Sequence, residues 1–136
     1  MELSKETIVE RLESCNIYPT PQRLKIAEVM LDKLQHLSAE NVLQAVNIDG
    51  AVVSKATVYN TLGLFAKKGL VREVIVDPSK VFYDSNTCEH HHFYNIDTGK
   101  LSDIGAGDLL INQLPALPAA TEMDGVDVII RLRDKL

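Results

Sequence analysis

The sequence predicts an α+β fold, because its helical and strand signals are segregated along the chain. Segments with helical apolar spacing occupy residues 5–68, and two β-branched segments follow at 70–76 and 81–84. Short strand-like segments and turns fill the rest of the 136 residues. With 46% hydrophobic and 24% charged residues, the composition is typical of a globular protein rather than a disordered one.

Each of four predicted helices begins at a residue that favours the N-cap position. These residues are Ser4, Thr20, Ser38 and Ser54. In the fourth helix, over residues 54–68, Val58, Leu62 and Phe65 recur at helical spacing and are expected in the core. In the second helix, helical apolar spacing is expected to continue as far as Leu34, and the residues after it, 36–37, are interpreted as a short connection.

Short helices that end in a β-hairpin are typical of a winged helix-turn-helix. The turn Asp77-Pro78-Ser79-Lys80 joins the two predicted strands of the hairpin. The recognition helix would then be residues 54–68 and the wing residues 70–84. This fold typically places the recognition helix in the major groove of double-stranded DNA.

The remaining residues predict a small α/β domain. Strands are expected at 90–96, 101–104 and 126–132, with a short helix at 108–114. So small a sheet has exposed edges, which pairing with a second copy would cover, and we therefore expect a homodimerisation domain. The predicted organisation is a winged-helix domain at 1–84, a hinge at 85–89, and a dimerisation and metal-sensing domain at 90–136.

The charge distribution and the cysteine content indicate which binding partners and metal sites the sequence allows. The net charge of −5 lies wholly in residues 84–136, so the N-terminal part is neutral and can still present a basic face. Cys15 and Cys88 form no CxxC pair, which predicts neither a zinc ribbon nor a disulfide framework. The polar N-terminus and the absence of an apolar run of about 18 residues predict a cytoplasmic protein with no membrane partner.

Three of the four histidines lie together at residues 90–92. Alternate residues of an extended strand share a face, so His90 and His92 would point the same way and His91 the opposite way. With His36, Asp84 and Asp103 they form a nitrogen and oxygen donor set that suits Fe²⁺, Mn²⁺ or Zn²⁺. Chance clustering, a metal-binding module without DNA activity and a small non-haem iron enzyme with two His and one carboxylate remain alternatives at this point.

Four motifs in this order resemble the ferric uptake regulator (Fur) family of bacterial metal-dependent transcription factors. They are Thr20-Pro21-Gln22-Arg23-Leu24-Lys25-Ile26, His36-Leu37-Ser38-Ala39-Glu40, Ala56-Thr57-Val58-Tyr59-Asn60-Thr61-Leu62 and His90-His91-His92. The likeness is greatest to the peroxide-sensing (PerR) branch, which places an Asp six residues before a His-x-His pair. The stretch 84–92 also resembles the haem-responsive iron response regulator (Irr) branch.

The resemblance implies a metal site formed by His36, Asp84, His90, His92 and Asp103. It also implies a repressor in which Fe²⁺ or Mn²⁺, with Zn²⁺ as a substitute, fixes the homodimer for binding to a palindromic AT-rich operator. Peroxide would oxidise His36 or His90, whereas an iron- or haem-responsive relative would sense the metal or haem itself.

The resemblance also suggests DNA contacts. Tyr59 is the candidate for a base contact, and Thr57 and Asn60 would add base-edge or phosphate contacts. Arg23, Lys55 and Lys80 are candidates for phosphate or minor-groove contacts.

The chain departs from the family pattern in several places. Thr98 stands where a zinc-binding cysteine is usual, so no structural CxxC zinc site is expected. Leu110 and the region around Gly125 do not supply the ligands of a further metal site. Glu89 follows Cys88 where the haem branch has a proline, and Tyr18 replaces a basic residue that would enter the minor groove.

Overall fold

A computed structural model of the chain describes residues 3–50 and 52–136. The chain divides into two compact units, Met1–Thr87 and Cys88–Leu136. The division falls within residues 85–89, whose role as a hinge stays a prediction. Met1 and Glu2, which begin the N-terminal segment expected to lack a signal sequence, lie outside the described residues.

The described part of the first unit is a winged helix-turn-helix, as the sequence predicts. Its helices are α1 (Lys5–Ser14), α2 (Pro21–Leu31), α3 (Ala39–Val46) and α4 (Lys55–Lys67). Its strands are β1 (His36–Ser38), β2 (Arg72–Asp77) and β3 (Lys80–Asp84), which form an antiparallel sheet in the order β1-β3-β2. The β2–β3 hairpin is the wing and α4 is the recognition helix of this fold.

Local side-chain bonds start each helix at the predicted residue. Ser4, Thr20, Ser38 and Ser54 each accept a hydrogen bond from the backbone N–H three positions further on. At α3 the Asn41 side chain also accepts from the Ser38 N–H, which completes a capping box. These bonds satisfy N–H groups that have no partner within the helix.

The core of the first unit lies between the helices and the wing. Val58, Leu62 and Phe65 of α4 are fully buried, as predicted. The expected continuation of the second helix to Leu34 is wrong, because α2 ends at Leu31, and the Leu34 side chain is 75% exposed. Among the described residues, no helix has both the length and the apolar character needed to cross a bilayer.

The interpretation of residues 36–37 as a connection is also wrong. His36–Ser38 is a strand, and it adds to the free edge of the wing by pairing with β3. Three residues carry too little periodicity to predict a strand, and this one forms because β3 is available as a partner.

The described part of the second unit is a small mixed sheet. Its strands are β4 (His92–Asn95), β5 (Leu101–Asp103) and β6 (Ile129–Leu132), in the order β5-β4-β6. Strand β5 is antiparallel to β4, and β6 is parallel to it. Tyr94, Leu101 and Ile104 are buried.

Two predictions for the second unit need correction. Strand β6 begins at Ile129 rather than at residue 126, because the Val128 N–H donates to the His91 side chain instead of a strand carbonyl. Residues 108–114 form no helix. So short a segment is not stable as an isolated helix. Its apolar side chains are also uncovered, since Leu110 is 75% and Leu114 47% exposed.

One side chain holds the loop between α3 and α4. The Asn47 amide donates to the Val53 carbonyl at 2.8 Å, and its oxygen accepts from the N–H groups of Val52 and Val53 at 2.9 Å each. We expect Asn47→Ala to lower the free energy of unfolding by about 1–3 kcal/mol, because the buried Val53 loses the bonds to its N–H and its carbonyl. Urea denaturation followed by circular dichroism measures this. Gln44→Ala, at an exposed position of α3, is the control, and equal midpoints for the two variants would contradict the expectation.

Candidate metal centre

The first unit contributes a His–Asp pair across two neighbouring strands. His36 of β1 and Asp84 of β3 are register partners, and a potential ligand atom of one lies within 4.8 Å of one of the other. Asp84 is 1% exposed, and its Oδ1 accepts a hydrogen bond from the Asn86 N–H at 2.9 Å. Such a bond favours the ionised carboxylate, the form that binds a cation.

Ser85 fixes the strand ends that carry this pair. Its backbone N–H donates to the Gln35 carbonyl at 2.9 Å, and its hydroxyl donates to the Lys33 carbonyl at 2.9 Å. The same oxygen accepts from the Gln35 N–H at 3.0 Å. Sequence reasoning missed this role, because the partners are about fifty residues apart and no short motif links them.

The second unit brings two imidazoles and a carboxylate together. Nε2 of His90 and Nε2 of His92 each lie 3.4 Å from Oδ1 of Asp103. The two rings are 4.5 Å apart between centroids, and His92 and Asp103 are register partners across β4 and β5. His92 is fully buried, so its ring is held in place by the surrounding protein.

A backbone carbonyl sets the tautomer of His90. Nδ1 of His90 lies 2.6 Å from the Cys88 carbonyl oxygen, which can only accept a hydrogen bond. In the neutral ring the proton therefore sits on Nδ1, and Nε2 keeps the lone pair that binds a metal. Carbonyl bonds of this kind commonly orient histidine ligands in metal sites.

His91 has a different role from its two neighbours. Its Nδ1 accepts a hydrogen bond from the Val128 N–H at 3.0 Å, and its carbonyl accepts from the Ile104 N–H at 2.9 Å. The ring therefore supports the join between β4 and the segment that leads into β6. This agrees with the alternation that directs His91 away from His90 and His92.

The donor set fits a divalent metal. Within the second unit, Nε2 of His90 and Nε2 of His92 both approach Oδ1 of Asp103, and a cation among these atoms would be attracted by the carboxylate and bound by the imidazole lone pairs. The first unit, described by itself, carries an imidazole and a buried carboxylate in His36 and Asp84. A mixed nitrogen and oxygen set without thiolate suits Fe²⁺, Mn²⁺ or Zn²⁺.

The candidate DNA contacts lie on three elements of the first unit. Lys55, Asn60 and Tyr59 are exposed on α4, Tyr59 by 42%. Thr57 is partly occupied in the helix cap, where its hydroxyl oxygen accepts from the Ser54 hydroxyl at 2.9 Å. Arg23 of α2 is half-buried and donates to the Tyr18 carbonyl at 2.9 Å.

Lys80 is exposed beside the turn of the wing. The turn is held by Asp77, whose Oδ1 accepts from the Ser79 hydroxyl and the Ser79 N–H. These bonds lower the pKa of the Asp77 carboxyl. The turn therefore has a defined shape next to the Lys80 side chain.

These features define a class of protein: a winged-helix protein whose sheets carry a histidine and aspartate donor set. Residues 15–124 match the model of the ferric uptake regulator family. The peroxide-responsive repressor PerR of Staphylococcus aureus (strain Mu50) is 32% identical over 103 residues, covering 76% of this chain and 70% of that protein.

Solved structures share the fold. The ferric uptake regulator of Vibrio cholerae aligns with a TM-score of 0.70 at 21% identity, covering 93% of this chain and 98% of that one. The ferric uptake regulator of Pseudomonas aeruginosa, solved with manganese, aligns with a TM-score of 0.67 at 23% identity over 93% and 97% of the two chains.

The chain belongs to the ferric uptake regulator family. It is accordingly a metal-dependent, DNA-binding transcriptional regulator, and regulators of this family act as dimers. Family members are transcription regulators rather than enzymes, so the comparisons do not support the alternative of a small non-haem iron enzyme.

Proposed function

We propose that this protein is a peroxide-responsive repressor in which His36, Asp84, His90, His92 and Asp103 bind one Fe²⁺ or Mn²⁺ ion. The observation that carries the proposal is the convergence of the two Nε2 atoms of His90 and His92 on Asp103 Oδ1, each at 3.4 Å. The similarity to a peroxide-responsive repressor supports the choice of signal within the family.

The residues of both units contribute to DNA binding in this proposal. In this proposal, binding of the metal favours a single arrangement of the homodimer. That arrangement presents two copies of α4 to a palindromic, AT-rich duplex at half-site spacing. Coupling of this kind is typically worth about 1–3 kcal/mol in DNA affinity.

The histidines also supply the peroxide response. Ferrous iron, when bound, supplies the electrons that activate peroxide. The net change is insertion of one peroxide oxygen into a ring C–H bond of His36 or His90, with water as the other product. The oxidised ring is a poorer ligand, so the donor set loses a member and the protein releases DNA.

Peptide mass spectrometry after a brief peroxide pulse tests this function. The protein is loaded anaerobically with Fe²⁺, and a parallel sample with Mn²⁺. We expect a gain of one oxygen on His36 or His90 in the iron sample alone. His91 is an internal control, because its Nδ1 is engaged with the Val128 N–H.

Two results would contradict the proposed signal. One is an iron-loaded protein in which neither His36 nor His90 gains oxygen, which would direct attention to iron or haem as the signal. The other is equal oxidation of His91, which would indicate damage by peroxide in solution. Asp103→Asn is expected to abolish the modification, because it removes the shared carboxylate.

A further inference from the structure

An exposed carboxylate joins two candidate DNA-contacting residues of the first unit. Oε1 of Glu40, in the first turn of α3, accepts a hydrogen bond from the Tyr59 hydroxyl at 3.1 Å. The same oxygen lies 3.5 Å from Nζ of Lys55, and Nζ lies 5.8 Å from the centroid of the Tyr59 ring. We refer to Glu40, Lys55 and Tyr59 as the Glu40 cluster.

Stability does not account for the Glu40 cluster. The side chains of Lys55 and Glu40 are 68% and 54% exposed, and ion pairs this exposed contribute little to folding. Glu40 is not the cap of α3 either, because Ser38 and Asn41 form the capping box. The main effect of the Glu40 cluster is therefore to fix where the Tyr59 and Lys55 side chains lie on the surface and which partners they contact.

The Glu40 cluster lies on the surface that winged-helix proteins present to DNA. Lys55 is the first residue of α4, and Tyr59 is one turn further along. Residues near the N-terminus of a recognition helix are those that contact base edges. A carboxylate at this place also repels phosphate, so it affects DNA binding through its charge as well.

The hydrogen bond limits what the Tyr59 hydroxyl can offer. A phenol has one proton to donate, and here that proton is directed to Glu40. This bond is the main reason that the pKa of the Tyr59 hydroxyl is raised. The oxygen then has only lone pairs left to present to a ligand.

We propose that Glu40 determines which base edge Tyr59 reads, by holding the Tyr59 hydroxyl as a hydrogen-bond acceptor. In the major groove, adenine and cytosine present amino donors, whereas guanine and thymine present only acceptors. An accepting hydroxyl therefore selects adenine or cytosine, and the adjacent ring is free to pack on a thymine methyl. Glu40 is thus a positioning residue for base selection, and this inference rests on the proposed DNA-binding function.

Substitutions can separate the effect of the Glu40 charge on DNA affinity from the effect of Glu40 on base selection. Glu40→Ala removes both the negative charge and the acceptor for the Tyr59 proton. Glu40→Gln removes the charge but keeps an accepting oxygen at the same reach. Glu28→Ala removes an exposed carboxylate from α2, outside the Glu40 cluster, and is the control for charge alone.

The experiment is selection from a pool of randomised DNA duplexes by the Mn²⁺-loaded protein, with sequencing of the bound fraction. The variants are Glu40→Ala, Glu40→Gln, Tyr59→Phe and Glu28→Ala. For the wild type we expect one position per half-site at which adenine or cytosine is preferred. Both Glu40→Ala and Tyr59→Phe should lower that preference by about fivefold, the effect of one hydrogen bond.

The control variants test whether base selection depends on the hydrogen bond from Tyr59 to Glu40 rather than on charge. Glu40→Gln and Glu28→Ala should keep the base preference, although both should bind all duplexes more tightly. In the Tyr59→Phe background, Glu40→Ala should cause no further change in preference. A wild-type base profile in Glu40→Ala would overturn the inference alone, whereas failure of the wild type to enrich any duplex would overturn the proposed function as well.

Discussion

Asp103→Asn should weaken Mn²⁺ binding at least about 100-fold, more than the loss typical of groups that only support a ligand. Oδ1 of Asp103 is the atom that both imidazoles approach at 3.4 Å. The substitution therefore removes the negative charge that lies next to both His90 and His92. A carboxamide keeps the shape of the side chain but is neutral. Asp103 is exposed at the end of β5, so the fold should tolerate the change.

Electron paramagnetic resonance of free Mn²⁺ during a titration measures this affinity. Asp124→Asn, which neutralises another exposed carboxylate of the second unit, is the matched control and should bind like the wild type. If Asp103→Asn changes the Mn²⁺ affinity by less than about threefold, Asp103 is not a ligand. Loss of a group that only supports a ligand already has a larger effect.

Leu62→Ala should lower the free energy of unfolding by about 2–5 kcal/mol, because it leaves a cavity in a packed core. Leu62 is fully buried on α4, among the core residues that pack the recognition helix against the rest of the first unit. Domains are commonly stable by only about 5–15 kcal/mol, so a loss of this size is a large share of the total. Weaker DNA binding by this variant would follow from loss of the fold rather than of a contact.

Leu34→Ala makes the same chemical change at a side chain that is 75% exposed. Its effect on stability should be within about 0.5 kcal/mol, as is usual for surface positions. Urea denaturation of the two variants measures the difference. Equal midpoints would mean that Leu62 does not lie in the core.

The helices were predictable because their signals are local. Ser4, Thr20, Ser38 and Ser54 each bond to a group three residues away, so a short window of sequence contains the whole interaction. The burial of one face of α4 follows from its apolar spacing in the same way. Neither feature depends on what the distant chain does.

The elements that sequence reasoning missed depend on distant partners. Strand β1 exists because β3 lies beside it, and the start of β6 is set by a bond to His91. Residues 108–114 have helical composition, yet Leu110 and Leu114 remain exposed, so no packing supports a helix there. Local composition contains none of this information.

The same difference between local and distant signals applies to the candidate sites. Alternation along the chain predicts that His90 and His92 share a face, and both do approach Asp103. The bond between Glu40 and Tyr59 joins residues nineteen positions apart on two helices, so only the packing of α3 on α4 reveals it. The sequence offers Lys55 as a candidate DNA contact, but it does not reveal that the Glu40 carboxylate lies beside it.

We propose that metal binding raises the affinity of this protein for DNA. The most direct test is a fluorescence anisotropy titration of a duplex obtained from the selection, with the wild-type protein in Mn²⁺ and in EDTA. We expect Mn²⁺ to tighten binding about 5- to 150-fold, the usual range of such coupling, and Asp103→Asn to lose this gain. Equal affinity in Mn²⁺ and in EDTA would contradict the account.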